Sequence, residues 1–447
     1  MNLISKSSKP LTGSVSTELP GDKSISHRAA LFAAFADGTS RIEHFQVSGV
    51  TRPMLQALTS FGIQWTLDGE TLTVEGRGIG AWKNPTFPID CGNSATTLRL
   101  LAGAIAGAGV TATLDGSYGL RRRPMDRIVE PLRKMGAGIK TTPGGIAPLT
   151  IQERAKDQKL KPLTYDLPVA SAQVKSCLLL AALGAEGATL LNEPGPSRDH
   201  TERMLSSMGV TVNSYEVEAH NTLHYMVELT PPNPLVLSPL NMSLPADPSA
   251  AAFLIVAALI IPGSSLTLKG VCLNPTRTGL LDALLAMGAD ISLTNQHDAG
   301  GELVGDMQVN ASELHGTEVS GTLVVRMIDE FPIFAIAAAV ANGTTTVHDA
   351  KELRLKESDR ISMLAAELRL LGVDIEEHSD GFTIRGGKLQ GGIVESHGDH
   401  RLAMSLVVAG LAAESPVTIR NAECTAESFP AFAETLQKLG AVISTEG

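Results

Sequence analysis

Leu19-Pro20-Gly21-Asp22-Lys23-Ser24 returns about half a chain later as Leu244-Pro245-Ala246-Asp247-Pro248-Ser249. Each phrase sets an Asp before an Ala-rich run, the signature of an N-capped helix. The doubling reads as two halves of one plan. A Pro in both phrases, where one half hands over to the other, suggests paired crossover strands acting as a hinge. The expected domains are 21–245 and, for the second, 1–20 with 246–447.

A shorter period lies inside the longer one. Phrases ending in Gly recur at roughly 70 to 85 residues: Ser60-Phe61-Gly62, Lys134-Met135-Gly136, Ser207-Met208-Gly209, Ala286-Met287-Gly288, Leu370-Leu371-Gly372 and Lys438-Leu439-Gly440. Met125, Ile128, Leu132 and Met135 follow the same helical spacing as Ile361, Leu364, Leu368 and Leu371, and as Phe429, Phe432, Leu436 and Leu439. The Gly is then a helix C-terminal cap. Upstream of each such helix lies an Ala-rich one that opens on a polar cluster, then a turn and a β-branched strand such as Thr344-Thr345-Thr346-Val347. The clusters are Asp22-Lys23-Ser24, Asn93-Ser94, Ser171-Ala172-Gln173, Asp247-Pro248-Ser249, Asp329-Glu330 and Asp399-His400-Arg401. Six copies of one α/β unit, three to a domain, is the expected fold.

Bulk composition is compatible with this. A chain of 447 residues with 4% aromatics, 43 Gly and 24 Pro fits two domains of many short elements. The longest apolar run, Ala250 to Ile261, is too short to span a membrane and ends at Pro262-Gly263. The four cysteines form no CxxC pair and the amino terminus has no apolar signal region, so a cytoplasmic protein with reduced thiols is expected. A net charge of −11 disfavours nucleic acid and anionic membranes as partners.

Against that acidity, cations gather at equivalent places in the repeats. The first helices open with Lys23, Ser24 and Arg28; with Asn93, Thr96 and Arg99; with Ser171, Gln173 and Lys175; and with His400 and Arg401. Helix amino termini add unpaired N–H groups and partial positive charge. The second helices are preceded by Arg121-Arg122-Arg123-Pro124, Arg198-Asp199-His200, Arg277 and Lys356-Glu357-Ser358-Asp359-Arg360. Small anions are the expected ligands. Asp329 and Glu357, carboxylates among cations, suit proton transfer. Asp247 and Asp399 read as N-caps, and His27 and His200 as structural. Arg99, Arg121, Arg122 and Lys175 fit either ligand binding or ordinary ion pairing. No P-loop, dinucleotide fingerprint, HExxH or zinc-ligand spacing is present, so no cofactor and no metal is expected.

Leu19–Arg28, Arg122–Met125, Leu353–Arg360 and Asp399–Met404 resemble the 5-enolpyruvylshikimate-3-phosphate synthase family, and the likeness runs along essentially the whole chain. Val169–Ser176 and Asn274–Gly279 are similar to its bacterial class II branch. The resemblance implies two inside-out α/β barrel domains, each of three βαβαββ repeats, that close on shikimate 3-phosphate and phosphoenolpyruvate. It implies transfer of the enolpyruvyl group to the 5-hydroxyl with release of phosphate, a step in aromatic amino-acid synthesis, by a monomer. By the same resemblance Lys23 touches both substrates; Ser24, Arg28, Ser171, Ala172, Gln173, Arg198 and Lys356 hold shikimate 3-phosphate. Arg123, Arg360 and Arg401 hold phosphoenolpyruvate, with Asn93, Ala95 and Gln173 lining its pocket. Asp329 matches the proton acceptor and Glu357 the group that protonates the methylene.

The chain departs from that pattern at Ser48-Gly49-Val50-Thr51, where many relatives have paired acids, and at Glu427, where class I relatives have Lys. It also has Ala95 where they have Gly, which implies reduced sensitivity to the inhibitor glyphosate. Two other readings stand beside this one. One is the sister enolpyruvyltransferase acting on UDP-N-acetylglucosamine, whose loop Cys is missing from Asp115–Pro124. The other is a non-catalytic repeat scaffold that binds anionic metabolites.

Overall fold

The computed structural model describes residues 1–155, 157–219 and 222–446. Its chain divides into two compact units: Met1–Pro20 with Pro245–Asp298 and Leu303–Gly447, and Gly21–Leu244 with Ala299–Glu302. Two details differ from the expected boundaries. Pro245 falls with the carboxy-terminal residues, and Ala299–Glu302 falls with Gly21–Leu244. Side chains explain the second difference: His200 Nδ1 lies 2.7 Å from Glu302 Oε1, and Arg203 donates to the Gly301 carbonyl at 2.9 Å.

Each unit holds three four-stranded sheets of one topology among the described residues. In one of the three repeats that are continuous in sequence, Ile89–Asp90 pairs in parallel with Ala112–Asp115, which pairs antiparallel with Ile146–Ile151, with Ile139–Thr142 at the far edge. Helices Ala95–Ala108 and Asp126–Lys134 fill the connections, giving βαβαββ. The other repeats obey the same order, although three borrow a strand from a distant part of the chain. Asn241–Ser243 pairs in parallel with Asp37–Glu43. Thr12–Val15 pairs in parallel with Ser265–Cys272, and Asn2–Lys6 is inserted between Val417–Arg420 and Val442–Glu446.

The Ala-rich helices are the core and the sheets are the shell. Helix Pro248–Ile260 is buried on every side, and it packs with Phe331–Val340 and His400–Ala412, which are buried likewise. A helix apolar all round belongs in an interior, so the run that is too short for a membrane is the centre of a unit. In the other unit Ala95–Ala108 packs on Lys23–Phe35 and Ala172–Ala182. The second helices of the repeats lie outside these and bury only one stripe. Met125, Ile128, Leu132 and Met135 are each 0% exposed, as are Ile361, Leu368 and Leu371. The six Gly residues that end these helices all have positive φ, from 79° at Gly372 to 110° at Gly440, the left-handed conformation that closes a helix.

Close helix approach requires Gly103. A methyl group there would stand 2.0 Å from the Cys177 carbonyl oxygen on the facing helix, and one at Gly107 would stand 2.6 Å from that of Leu180. Gly103→Ala must therefore push apart the helices that begin at Ala95 and Ala172. The expected loss is about 1–3 kcal/mol, read as a lower urea midpoint at unchanged slope.

Candidate active site

In the Gly21–Leu244 unit the three core helices open beside one another. Asp22 caps the first by accepting from Ile25 N at 2.8 Å, and Ser94 caps the second by accepting from Thr97 N at 3.1 Å. Ser171 precedes the third without a side-chain cap bond. His27 ties the first two ends: Nδ1 lies 2.8 Å from the Lys23 carbonyl, and Nε2 lies 2.9 Å from the Val50 carbonyl and 3.3 Å from Ser94 Oγ. Burial drives this ring well below its ordinary value, to about 4, against the carbonyls that favour its proton.

Ligand-type side chains cross between these ends. Arg198 donates to Ser24 Oγ at 3.1 Å. Gln173 accepts from Arg99 through Oε1 and donates to Thr96 Oγ1 at 3.0 Å, while Arg99 also donates to the Pro124 carbonyl at 3.0 Å, one residue after Arg123. Asn93 Oδ1 accepts from Ser117 Oγ at 3.0 Å, beside Ala95, which is 3% exposed at the first turn of its helix. Lys23, Ser171, Ala172, Gln173 and Arg198 are half-buried.

Two of the cations at these helix openings are almost wholly buried. Arg28 is 2% exposed and donates to Thr201 Oγ1 at 2.8 Å, Ser176 Oγ at 2.7 Å and the Ser24 carbonyl at 3.0 Å. Through three of its five N–H donors the guanidinium holds Ser24 and the neighbouring helices in place. Lys175, also 2% exposed, lies 2.7 Å from both Glu193 and Glu202 and donates to the Ser197 carbonyl at 3.2 Å. Burial alone would lower this ammonium, but Glu202 and Glu193 outweigh it and hold it above its usual value. Of the two readings open for Lys175, ion pairing is the one realised. Arg121 is likewise an exposed partner of Asp115, at 2.8 Å through Nε.

In the other unit the helices beginning at Pro248, Phe331 and His400 also open together. Arg277 donates to Asp247 at 3.1 Å and to Ser249 at 3.0 Å, and Ser249 donates to Glu330. Asp247 and Asp399 are caps, accepting from Ser249 N at 2.8 Å and Arg401 N at 2.9 Å. Asp399 does more than cap, since it also accepts from Arg360 Nε at 2.8 Å. Burial opposes the charge on Arg360, yet Asp399, Glu357 and Asp329 together raise its pKa above the ordinary value.

All five site residues expected in this unit gather here. Asp329 has three cations at ion-pair range: Arg360 at 3.5 Å, Lys356 at 3.7 Å and Arg401 at 3.7 Å. Glu357 accepts from Arg360 Nη2 at 2.7 Å. Asp329, Glu357 and Asp399 thus share one guanidinium, with Asp329 the farthest of the three at 3.5 Å. Such a cluster can bind an anion and exchange protons at the same place. Glu427 stands 3.6 Å from His400 Nδ1, so the acid that departs from the class I pattern sits beside the helix end that carries Arg401. Among the described residues no group of three or more His, Cys, Asp or Glu is arranged to hold a metal, and no helix is long and apolar enough to cross a membrane.

Several residues that build these sites carried no sequence signal. Thr201, Ser176, Glu193 and Glu202 look like ordinary helix and loop residues, and only their packing under Arg28 and Lys175 gives them work. Arg354 lies inside the Leu353–Arg360 motif, but half of its hydrogen bonds go to Glu377, His378 and Ser379 of a hairpin further along.

Comparison with known proteins follows the same lines. The EPSP synthase (3-phosphoshikimate 1-carboxyvinyltransferase) family profile matches residues 5–436. A 3-phosphoshikimate 1-carboxyvinyltransferase of Citrifermentans bemidjiense is 45% identical over 438 residues, covering 98% of either chain. The structure of an EPSP synthase from Acinetobacter baumannii is 40% identical, covers 100% of both chains and superposes with a TM-score of 0.87. The enolpyruvyl transferase NikO of Streptomyces tendae shares the fold, with a TM-score of 0.77 at 20% identity over 99% of this chain and 98% of that one.

The Lys175 cluster makes a stability prediction. Lys175→Met leaves Glu193 and Glu202 buried without their cation, and the expected loss is about 3–5 kcal/mol in denaturant unfolding at pH 7. The deficit should shrink as pH falls, because the abandoned carboxylates take up protons in the folded variant.

Proposed function

The chain belongs to the EPSP synthase family, and from that premise we propose how its residues divide the work. It transfers the enolpyruvyl group of phosphoenolpyruvate to the 5-hydroxyl of shikimate 3-phosphate, with release of inorganic phosphate, in the shikimate pathway. The fold is that of two inside-out α/β domains.

One observation carries the assignment of roles: a single carboxylate, Asp329, surrounded by Lys356, Arg360 and Arg401 at 3.5–3.7 Å. A substrate carboxylate or phosphate satisfies the same cations, and its arrival leaves Asp329 able to accept a proton. In this reading Asp329 takes the proton of the 5-hydroxyl while Glu357 delivers one to the methylene carbon of phosphoenolpyruvate. The methylene becomes a methyl group, and the adjacent carbon becomes electrophilic and bonds the hydroxyl oxygen. The adduct then gives a methyl proton back to the Glu357 carboxylate as its C–O bond to phosphate breaks, which restores the double bond on the product and releases inorganic phosphate. Arg360 and Arg401 stabilise the charge that collects on the leaving phosphate.

The remaining roles follow the chemistry of the residues. Lys23, Ser24, Ser171, Gln173, Arg198 and the backbone at Ala172 bind shikimate 3-phosphate, and Lys356 adds a cation. Arg28 supports that set from beneath through the Ser24 carbonyl. Arg123 and Asn93 serve phosphoenolpyruvate. Ala95 presents a methyl group at the first turn of a buried helix, where it crowds a ligand longer than phosphoenolpyruvate, such as glyphosate.

Two measurements test these roles. Phosphate release should require shikimate 3-phosphate, should fail with UDP-N-acetylglucosamine, and should drop on the order of 100- to 10,000-fold in kcat for Asp329→Asn. A variant that keeps the wild-type rate removes Asp329 from the mechanism. Ala95→Gly should tighten glyphosate inhibition by about 10-fold or more while the KM for phosphoenolpyruvate changes little; equal inhibition of both enzymes would show that the methyl group is not felt.

A further inference from the structure

We infer that Arg354 is a positioning residue that fixes the segment carrying Lys356 and Glu357. Its side chain reaches across the loop that follows it and grips both the loop's far end and the neighbouring hairpin. Nη1 donates to Asp359 Oδ1 at 3.1 Å, to Asp359 Oδ2 at 2.9 Å and to Ser362 Oγ at 3.0 Å. Nη2 donates to Glu377 at 2.9 Å and to the His378 carbonyl at 2.6 Å, and Nε donates to the Ser379 carbonyl at 2.9 Å. All three nitrogens of the guanidinium are engaged, and none of the partners is a residue assigned to substrate.

The partners bind one another as well. Asp359 accepts from Ser362 N at 3.1 Å as the cap of helix Arg360–Leu370, and Ser362 Oγ donates to Glu377 at 2.7 Å. The Ser362 hydroxyl, with help from Arg354, holds Glu377 below the usual carboxylate range. Leu355, Lys356, Glu357 and Ser358 are therefore spanned by a bridge from residue 354 to residue 359. Closing so short a loop removes most of its conformations. What remains is a segment whose acid and ammonium are presented from a fixed frame. A flexible segment would hold Glu357 against Arg360 only part of the time.

The inference rests on the role proposed for Glu357, so its test separates the two. Amide hydrogen exchange of residues 355–358, melting temperature and steady-state phosphate release are measured on wild type, Arg354→Ala, Arg354→Lys, Arg369→Ala and Glu357→Gln. Arg369 is the control: it lies on helix Arg360–Leu370, which Asp359 caps, and among the described residues its side chain donates only to the Ile375 carbonyl. Arg354→Ala should speed exchange in 355–358 and lower kcat per folded molecule on the order of 100-fold, with a much smaller change in KM for phosphoenolpyruvate. Millimolar guanidinium ion should restore part of that rate. Arg354→Lys, which keeps the charge and serves if the alanine variant does not fold, should fall between. Arg369→Ala should lower the melting temperature alone. Unchanged exchange and kcat in the Arg354 variants, with a loss of melting temperature like that of the control, would overturn the inference. A wild-type rate in Glu357→Gln would overturn the role of Glu357, and the exchange data would still decide whether Arg354 holds the loop.

Discussion

Three buried helices begin side by side in each unit, and the rest of the architecture accommodates that arrangement. Helices can crowd an axis only if their facing surfaces are small, which is why Ala and Gly dominate them and why Gly103 meets the Cys177 carbonyl across so short a gap. Their amino termini then pool unpaired N–H groups and partial positive charge at one place. The sheets must lie outside, because nothing else is left to cover the helices. A repeated element therefore repeats that positive end.

Burying polar helix ends has an electrostatic cost that each unit offsets with ion pairs. Arg360 is nearly inaccessible and answers Asp399, Glu357 and Asp329; Lys175 is equally inaccessible and answers Glu193 and Glu202. The two clusters differ in one respect. Lys175 lies 2.7 Å from both of its carboxylates, which is a closed structural arrangement. Asp329 lies 3.5–3.7 Å from Arg360, Lys356 and Arg401, a wider spacing around one carboxylate.

Local pattern carried much of this. The apolar stripes of the outer helices, the Gly at each helix end and the Asp caps are consequences of interactions within a few residues, and they hold wherever the chain goes. The Asp329, Lys356, Glu357, Arg360 and Arg401 constellation was legible because each member lies at the opening of a helix of the repeats. Arg28 and Lys175 were harder, since a buried cation and a substrate-facing cation occupy the same place in a helical pattern. Their partners, Thr201 and Glu193 among them, arrive from other segments. The assignment of Ala299–Glu302 to the Gly21–Leu244 unit was invisible for the same reason: it depends on His200 and Arg203, which lie about a hundred residues earlier in the chain.

By itself the sequence determined that this chain is a six-fold repeat of one α/β unit, doubled into two three-repeat units, with cations and two carboxylates at equivalent helix ends. Periodicity and capping are short-range and survive any packing. The tertiary structure alone decided which cations are locked into buried ion pairs, because that depends on desolvation and on partners remote in sequence. It also decided that Arg354 spans the Lys356–Glu357 loop, since a guanidinium satisfies so many acceptors only when the hairpin and the helix end have folded around it.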